Sequence, residues 1–412
     1  MQIQSLEARK ILNSKKSPTI EVRIKANNNT IIASAPSGTS TGKSEVKPFS
    51  KKGIDFSIAA INALGKKFIH NRTLFHDFQD LEKIEEFIKK VDKTTNLELF
   101  GGNALYVLET AVLKAIAASQ EKELWQILFN GKKPIFPRPL GNCIGGGKHL
   151  EQNQKTDFQE FLLLPETEHF FDSYFINLRA YKEAKSLLKE QDKFWKGKVT
   201  YENAFATHLD NESVLKLLQR VKLVVKDKFG ISLDLGTDIA ANSFLQRSSY
   251  KYNNFNEKDK NKILKPEEQV EYIANLIKDY NLYYIEDPFQ EEDFLSFAKL
   301  LKKVKNCLIV GDDLTCTHLE RVKKAIKMKA INALIVKPNQ VGSLLETKKV
   351  VDFAKKKKIK IIFSHRSGET SDNALAHYAI GFQAPIIKTG ILGKERFAKL
   401  HEILRIEREY KG

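Results

Sequence analysis

The sequence predicts an α/β protein in two parts: an N-terminal α+β domain, with a three-stranded antiparallel sheet plus helices, followed by a β/α barrel. Three observations predict it. At 412 residues, 42% hydrophobic and 29% charged, the chain has a globular composition and is too long for one small core. Three short β-type runs separated by turn residues open the chain. Farther on, apolar strands each end on a polar or charged residue and are followed by helical patterns, the rhythm of parallel strands joined by helical crossovers.

The elements follow in order. Residues 2–9, 19–25 and 30–35 read as strands, separated by NSKKSP and NNN. Helical periodicity appears at about 56–69, 80–91 and 103–129, the last strongly apolar along one face. GKKPIFPRP (131–139) holds three prolines and marks a boundary, so residues 1–130 and 131–412 are expected to be separate domains. Then come SLDLGTD, LYYIED, CLIVGD, ALIVK, KIIFSH and APIIK. Their functional residues Asp238, Glu286, Asp312, Lys337, His365 and Lys388 are spaced by 48, 26, 25, 28 and 23 residues. Helical patterns at 290–305, 318–329, 343–358 and 370–381 fill the gaps. In a barrel, the C-terminal strand ends converge on one mouth, so these six residues are expected to face one another.

Composition excludes several classes. No apolar run approaches the roughly 18–20 residues of a membrane span, and MQIQSLEARKILNS lacks the apolar core of a secretory signal. Cys143, Cys307 and Cys316 have neither metal-ligand spacing nor an even framework, which points to a reducing cytoplasm. The net charge is +17, from 68 basic and 51 acidic residues. Only 12 of the 68 are Arg, leaving 56 Lys. Arg is the preferred fork for phosphates and base edges, so a solvated Lys-rich surface is favoured over a nucleic-acid face, which stays as the alternative. APSGTSTGKS (35–44) resembles a phosphate-binding P-loop but leaves three residues between Gly38 and Gly42 where four are required. It reads as a hydroxyl-rich loop.

The chemistry follows from the mouth residues. Three carboxylates from separate strands repel one another unless a cation joins them. A hard divalent ion with oxygen ligands, Mg²⁺ above all, suits Asp238, Glu286 and Asp312 beside an anionic substrate. Lys337 and Lys388 end apolar strands, where burial and metal charge are expected to lower an ammonium pKa toward that of a general base. Arg366 and Ser367 offer a guanidinium fork and a hydroxyl to a phosphate or carboxylate. His149 and Glu160, beyond the glycine run GNCIGGGKH, are expected to line the same mouth.

SHRSGETSD (364–372), YYIEDPF (283–289), VGDDLT (310–315), KPNQVGSL (337–344), IKTG (387–390) and LRIE (404–407) together resemble the enolase family. PSGTSTGKSE resembles that family's mobile active-site loop, about 35–45, and ARKILNSKKSPTIEV its first strand pair. GGGKHLEQNQKTDFQEF looks nearer to archaeal members. The resemblance implies a phosphopyruvate hydratase, a lyase that reversibly dehydrates 2-phosphoglycerate to phosphoenolpyruvate with two Mg²⁺ per site. It implies that Asp238, Glu286 and Asp312 bind the first ion and that Ser40 reaches the second. Lys337 is then the base at C2. Glu202, supported by Glu160, is the acid for the leaving hydroxyl. His149, Gln159, His365, Arg366, Ser367, Lys388 and Ser40 hold substrate. A homodimer, or an octamer built from dimers, is implied as well. Two stretches depart from the pattern. Tyr201 and Asn203 stand in a turn that is usually glycine-rich, which predicts lost backbone latitude at Glu202. ILNSKKSP departs near the expected subunit contact. A superfamily enzyme for another carboxylate substrate, or an impaired relative that binds polyanions, stays as the alternative.

Overall fold

A computed structural model describes residues 1–38, 42–150 and 155–411. The first three strands, β1 (Ser5–Leu12), β2 (Pro18–Ala26) and β3 (Asn29–Ser34), form an antiparallel sheet in that order. β1 begins three residues later than the sequence pattern suggests. Strand alternation buries Ile20, Val22 and Ile24 on one face, where helix Gly102–Ser119 packs. That helix was expected to continue to residue 129. It stops at Ser119, because Glu121 turns left-handed at φ 54°. A new short helix, Leu124–Leu128, then starts with Glu123 N–H donating to Gln126 Oε1 at 2.8 Å.

The barrel strands are β4 (Arg138–Gly145), β5 (Glu160–Glu166), β6 (Ser232–Asp238), β7 (Tyr284–Glu286), β8 (Leu308–Gly311), β9 (Ala333–Val336), β10 (Lys360–Ser364) and β11 (Ile386–Lys388). They pair in sequence order, and β11 returns to β4 through Ile386 opposite Arg138, closing the ring. From β6 to β11 neighbouring strands are parallel. β5 is the exception, antiparallel to both β4 and β6. Its first residue, Glu160, therefore lies beside Asp238, and an N-terminal strand end reaches the mouth formed otherwise by C-terminal ends.

Helices over 294–303, 319–327, 344–356 and 374–381 separate the later strands, each inside the span read from periodicity. Inside the ring, alternate strand positions place Leu140, Leu162, Leu164, Tyr284, Leu308, Val310, Ala333, Ile335, Ile362 and Ile386 in a buried cluster of their own. No helix of the described residues is long and apolar enough to cross a membrane.

Candidate active site at the barrel mouth

One cavity at the mouth is lined by His149, Gln159, Glu160, Glu202, Asp238, Asp312, Lys337, His365, Arg366, Ser367 and Lys388. Glu286 does not line it: fully buried, it reaches the cavity through its contact with Lys388. Residues as far apart as His149 and Lys388 thus meet in one place, and five of the six strand-end residues, Asp238, Asp312, Lys337, His365 and Lys388, line it. Ser40 lies outside the described residues.

Lys388 Nζ occupies the centre of an acidic group, 2.7 Å from Glu286 Oε2 and 3.1 Å from both Asp238 Oδ2 and Glu160 Oε2. Burial disfavours its charge, but Asp238, Glu160 and Glu286 outweigh that and hold its pKa well above the ordinary lysine value. Lys337 pairs with Asp312 Oδ2, whose other oxygen accepts from Gln340 Nε2 at 3.1 Å. Here too burial lowers and Asp312 raises the ammonium pKa, and the net shift is upward. The expected downward shift of the two lysines is therefore reversed, because each ammonium is clasped by carboxylates rather than merely desolvated.

The three acids assigned to the metal do not form one tight set. Among the described residues, the mouth groups whose ligand atoms all lie within 4.8 Å of one another are Asp287 with Asp312 and Asp313, and His149 with Glu160 and Glu202. Asp238 and Glu286 are adjacent in register and held by Lys388, while Asp312 is held by Lys337. Their chemistry nevertheless fits a hard cation. Glu286 Oε1 is buried without a hydrogen-bond partner. Burial, then Asp238, pushes the Glu286 carboxyl up to about 8. An all-oxygen set with a buried, unpartnered carboxylate oxygen suits a divalent ion.

Asp287 and Asp313 were missed in the sequence. Asp287 accepts the backbone N–H groups of Asp312 at 3.0 Å and Asp313 at 2.7 Å, fixing the chain that presents Asp312. Burial and Asp312 push Asp313 to about 7. The signal was present: in IEDP and VGDD a second acid directly follows the strand-end acid.

Glu202 comes from a loop. Its Oε2 accepts from Asn142 Nδ2 at 3.1 Å and lies 3.6 Å from His365 Nε2, and its Oε1 is 4.0 Å from Arg396 Nη2. Burial pushes the carboxyl up, yet His365, His149, Arg396 and Asn142 outweigh it and hold the pKa below the ordinary value. Glu160 goes the other way: burial dominates, and it is raised well above the carboxylate range despite Lys388. Burial also keeps His149 and His365 neutral-leaning, with pKa values below the ordinary imidazole.

The turn at Glu202 is built without the glycines usual there. Asn203 sits at φ 61°, a left-handed angle that Asn tolerates better than most residues. Its carbonyl accepts from Tyr181 Oη at 2.5 Å and its side chain donates to Leu392 O at 3.3 Å. Lys15 Nζ lies 4.6 Å from the centre of the Tyr201 ring, so the two unusual stretches touch each other.

The chain is similar to known proteins along nearly its whole length. A family model described as the enolase N-terminal domain matches residues 3–128, and one described as the enolase C-terminal TIM barrel domain matches 133–411. A protein named enolase from Methanosphaera stadtmanae is 38% identical over 409 residues, covering 99% of this chain and 97% of its own. Enolase from Methanothermobacter thermautotrophicus is 36% identical over 413 residues, covering 99% and 96%. Enolase from Ehrlichia ruminantium is 34% identical over 424 residues, with the same coverage.

Proposed function

Since this chain belongs to the enolase family and dehydrates 2-phosphoglycerate to phosphoenolpyruvate, we propose how its own residues divide that reaction. Lys337 takes the C2 proton, and Glu202 delivers a proton to the departing C3 hydroxyl. The observation that carries this is the strand order. In an eight-membered ring, β5 lies directly across from β9, so Glu160 faces Lys337 across the mouth, with Glu202 beside Glu160. A base and an acid on opposite sides of a bound substrate suit removal of a proton from one face and a hydroxyl from the other.

Glu160 lies beside Glu202 and supports it on the acid side, with burial favouring the neutral form of its carboxyl. Asp238, Glu286 and Asp312 would hold the divalent metal that the family implies, here Mg²⁺, with two ions per site. That metal supplies positive charge against the second negative charge that C2 deprotonation places on the substrate carboxylate. His149, Gln159, His365, Arg366, Ser367 and Lys388 surround and orient the substrate, and they exclude water from it.

Residues 1–130, including the loop at 35–45, form the capping domain in this reading and 131–412 the catalytic one. The protein works as a cytoplasmic homodimer on a small-molecule substrate, and light scattering would check its size. The test of function is phosphoenolpyruvate absorbance after adding 2-phosphoglycerate. Turnover should appear with Mg²⁺, vanish with a chelator and return on adding Mg²⁺ back. Chelator-insensitive turnover, or none at all, contradicts the reading.

A further inference from the structure

We propose that Glu45 is a positioning residue: its carboxylate fixes the Arg366 guanidinium in the orientation that receives the substrate's anionic group. The inference rests on the functional reading above, because it takes Arg366 as a substrate contact.

Glu45 holds Arg366 as a fork. Its Oε2 lies 3.0 Å from both Nη1 and Nη2, and its Oε1 lies 3.2 Å from Nη2. Both side chains are nearly fully buried, at 4% and 6% exposure. A two-point contact of this kind fixes the plane of a guanidinium as well as its position. Asn339 Oδ1 adds a contact to Nη1 at 3.3 Å, and Asn339 is itself tied to Asn103 Oδ1 at 3.0 Å. Gly38 packs its backbone against the same group, since a Cβ there would meet Nη2 at 2.0 Å. The Nε edge takes part in none of these hydrogen bonds, and Arg366 lines the mouth cavity.

The same carboxylate reaches farther. Glu45 Oε1 accepts from Gly42 N–H at 3.1 Å and from Gln340 Nε2 at 3.4 Å. Gln340 Nε2 also donates to Asp312 Oδ1 at 3.1 Å. One side chain therefore sets the spacing between Arg366, which meets the anion, and Asp312, which pairs with the base Lys337. A guanidinium left without Glu45 would keep its charge but lose its fixed plane, and misplacement of that order is expensive in catalysis.

The experiment compares wild type with Glu45→Gln, Glu45→Asp, Arg366→Gln and the double variant Glu45→Gln/Arg366→Gln. Dehydration of 2-phosphoglycerate is followed at saturating Mg²⁺, with inorganic phosphate as a competing anion. Glu45→Gln should lower kcat/KM by about 10–100-fold and weaken phosphate inhibition in parallel, the range seen when a supporting contact is removed. Glu45→Asp should recover part of the loss and keep the thermal midpoint near that of wild type, whereas Glu45→Gln should lower it by leaving the buried Arg366 without a carboxylate. In the Arg366→Gln background, Glu45→Gln should add no more than about twofold, because the two residues act as one unit. An unchanged or lower KM in Glu45→Gln would make Glu45 a competitor for Arg366 and overturn the proposal, as would additive losses. If wild type does not turn over while Glu45→Gln still weakens phosphate binding, the reaction assignment fails and the positioning role stands.

Discussion

Tyr284 and Glu286 point the same way from β7, two residues apart, yet the Tyr284 ring belongs to a buried apolar layer and Glu286 to the charged mouth, the two meeting where Tyr284 Oη donates to Glu286 Oε2. The same step separates Val310 from Asp312, Ile335 from Lys337, Ile386 from Lys388 and, on the reversed strand, Leu162 from Glu160. A two-residue step along a strand is about 6.6 Å. Over that distance the barrel interior passes from aliphatic packing to a network in which ammonium groups and carboxylates neutralise one another. The lower layer gains from removing apolar surface from water. The upper layer carries buried charges whose desolvation works against folding unless each is paired. Stability and chemistry are therefore carried by neighbouring layers of the same strands, and substitutions should separate them.

The sharpest separation is between Lys337 and Ile335. Lys337→Ala should reduce kcat by about 10⁴-fold, the upper range for loss of a general base, while the far-ultraviolet dichroism stays that of wild type. Ile335→Ala should reverse the pattern, lowering stability to denaturant by about 2–4 kcal/mol through a cavity in the apolar layer. Its activity per folded molecule should change little. If Ile335→Ala abolished turnover in the folded protein, or if Lys337→Ala simply unfolded, the two layers would not be separable.

A smaller effect is expected at the turn that brings Glu202 to the mouth. Asn203 is left-handed, so Asn203→Gly should be tolerated and Asn203→Ala should cost about 1 kcal/mol in strain. Kinetics of the two variants should separate in the same order. Equal behaviour would mean that the angle is not what places the carboxylate.

The smallest effect comes from a charged group far from the mouth. Burial raises the Glu402 carboxyl, but His377 and Arg405 outweigh it and bring it from 4.5 to about 2. A depressed carboxyl stabilises the fold above its unfolded pKa. That contribution should be complete above about pH 4.5 and lost as pH falls toward 2, worth about 1 kcal/mol once solvent screening is allowed for. Acid unfolding of Glu402→Gln, compared with wild type, should lack this part of the pH dependence.

These layers were unequally legible in the sequence. The mouth was readable because each strand announces its end with an ionisable residue after an apolar run, as in ALIVK and APIIK. The reversal of β5 was not, because FLLLPE has the same apolar content in either direction and only its pairing reveals it. The upward shift of Lys337 and Lys388 was also hidden: sequence shows that a lysine ends a strand, but not that Asp312 or Glu286 clasps it. The helix break near Glu121 needed one left-handed residue, which the periodicity of 103–129 does not record. Glu45 escaped because its partner Arg366 lies 321 residues away, and nothing local marks a long-range pair.

The division of labour across the mouth is tested most directly by exchange of the C2 hydrogen of 2-phosphoglycerate with deuterated water, measured by NMR for Glu202→Gln and Lys337→Ala. With Lys337 as base and Glu202 as acid, the Glu202 variant should exchange deuterium at C2 while forming almost no phosphoenolpyruvate, and the Lys337 variant should do neither. Exchange that survives Lys337→Ala, or that disappears with Glu202→Gln, would contradict the assignment.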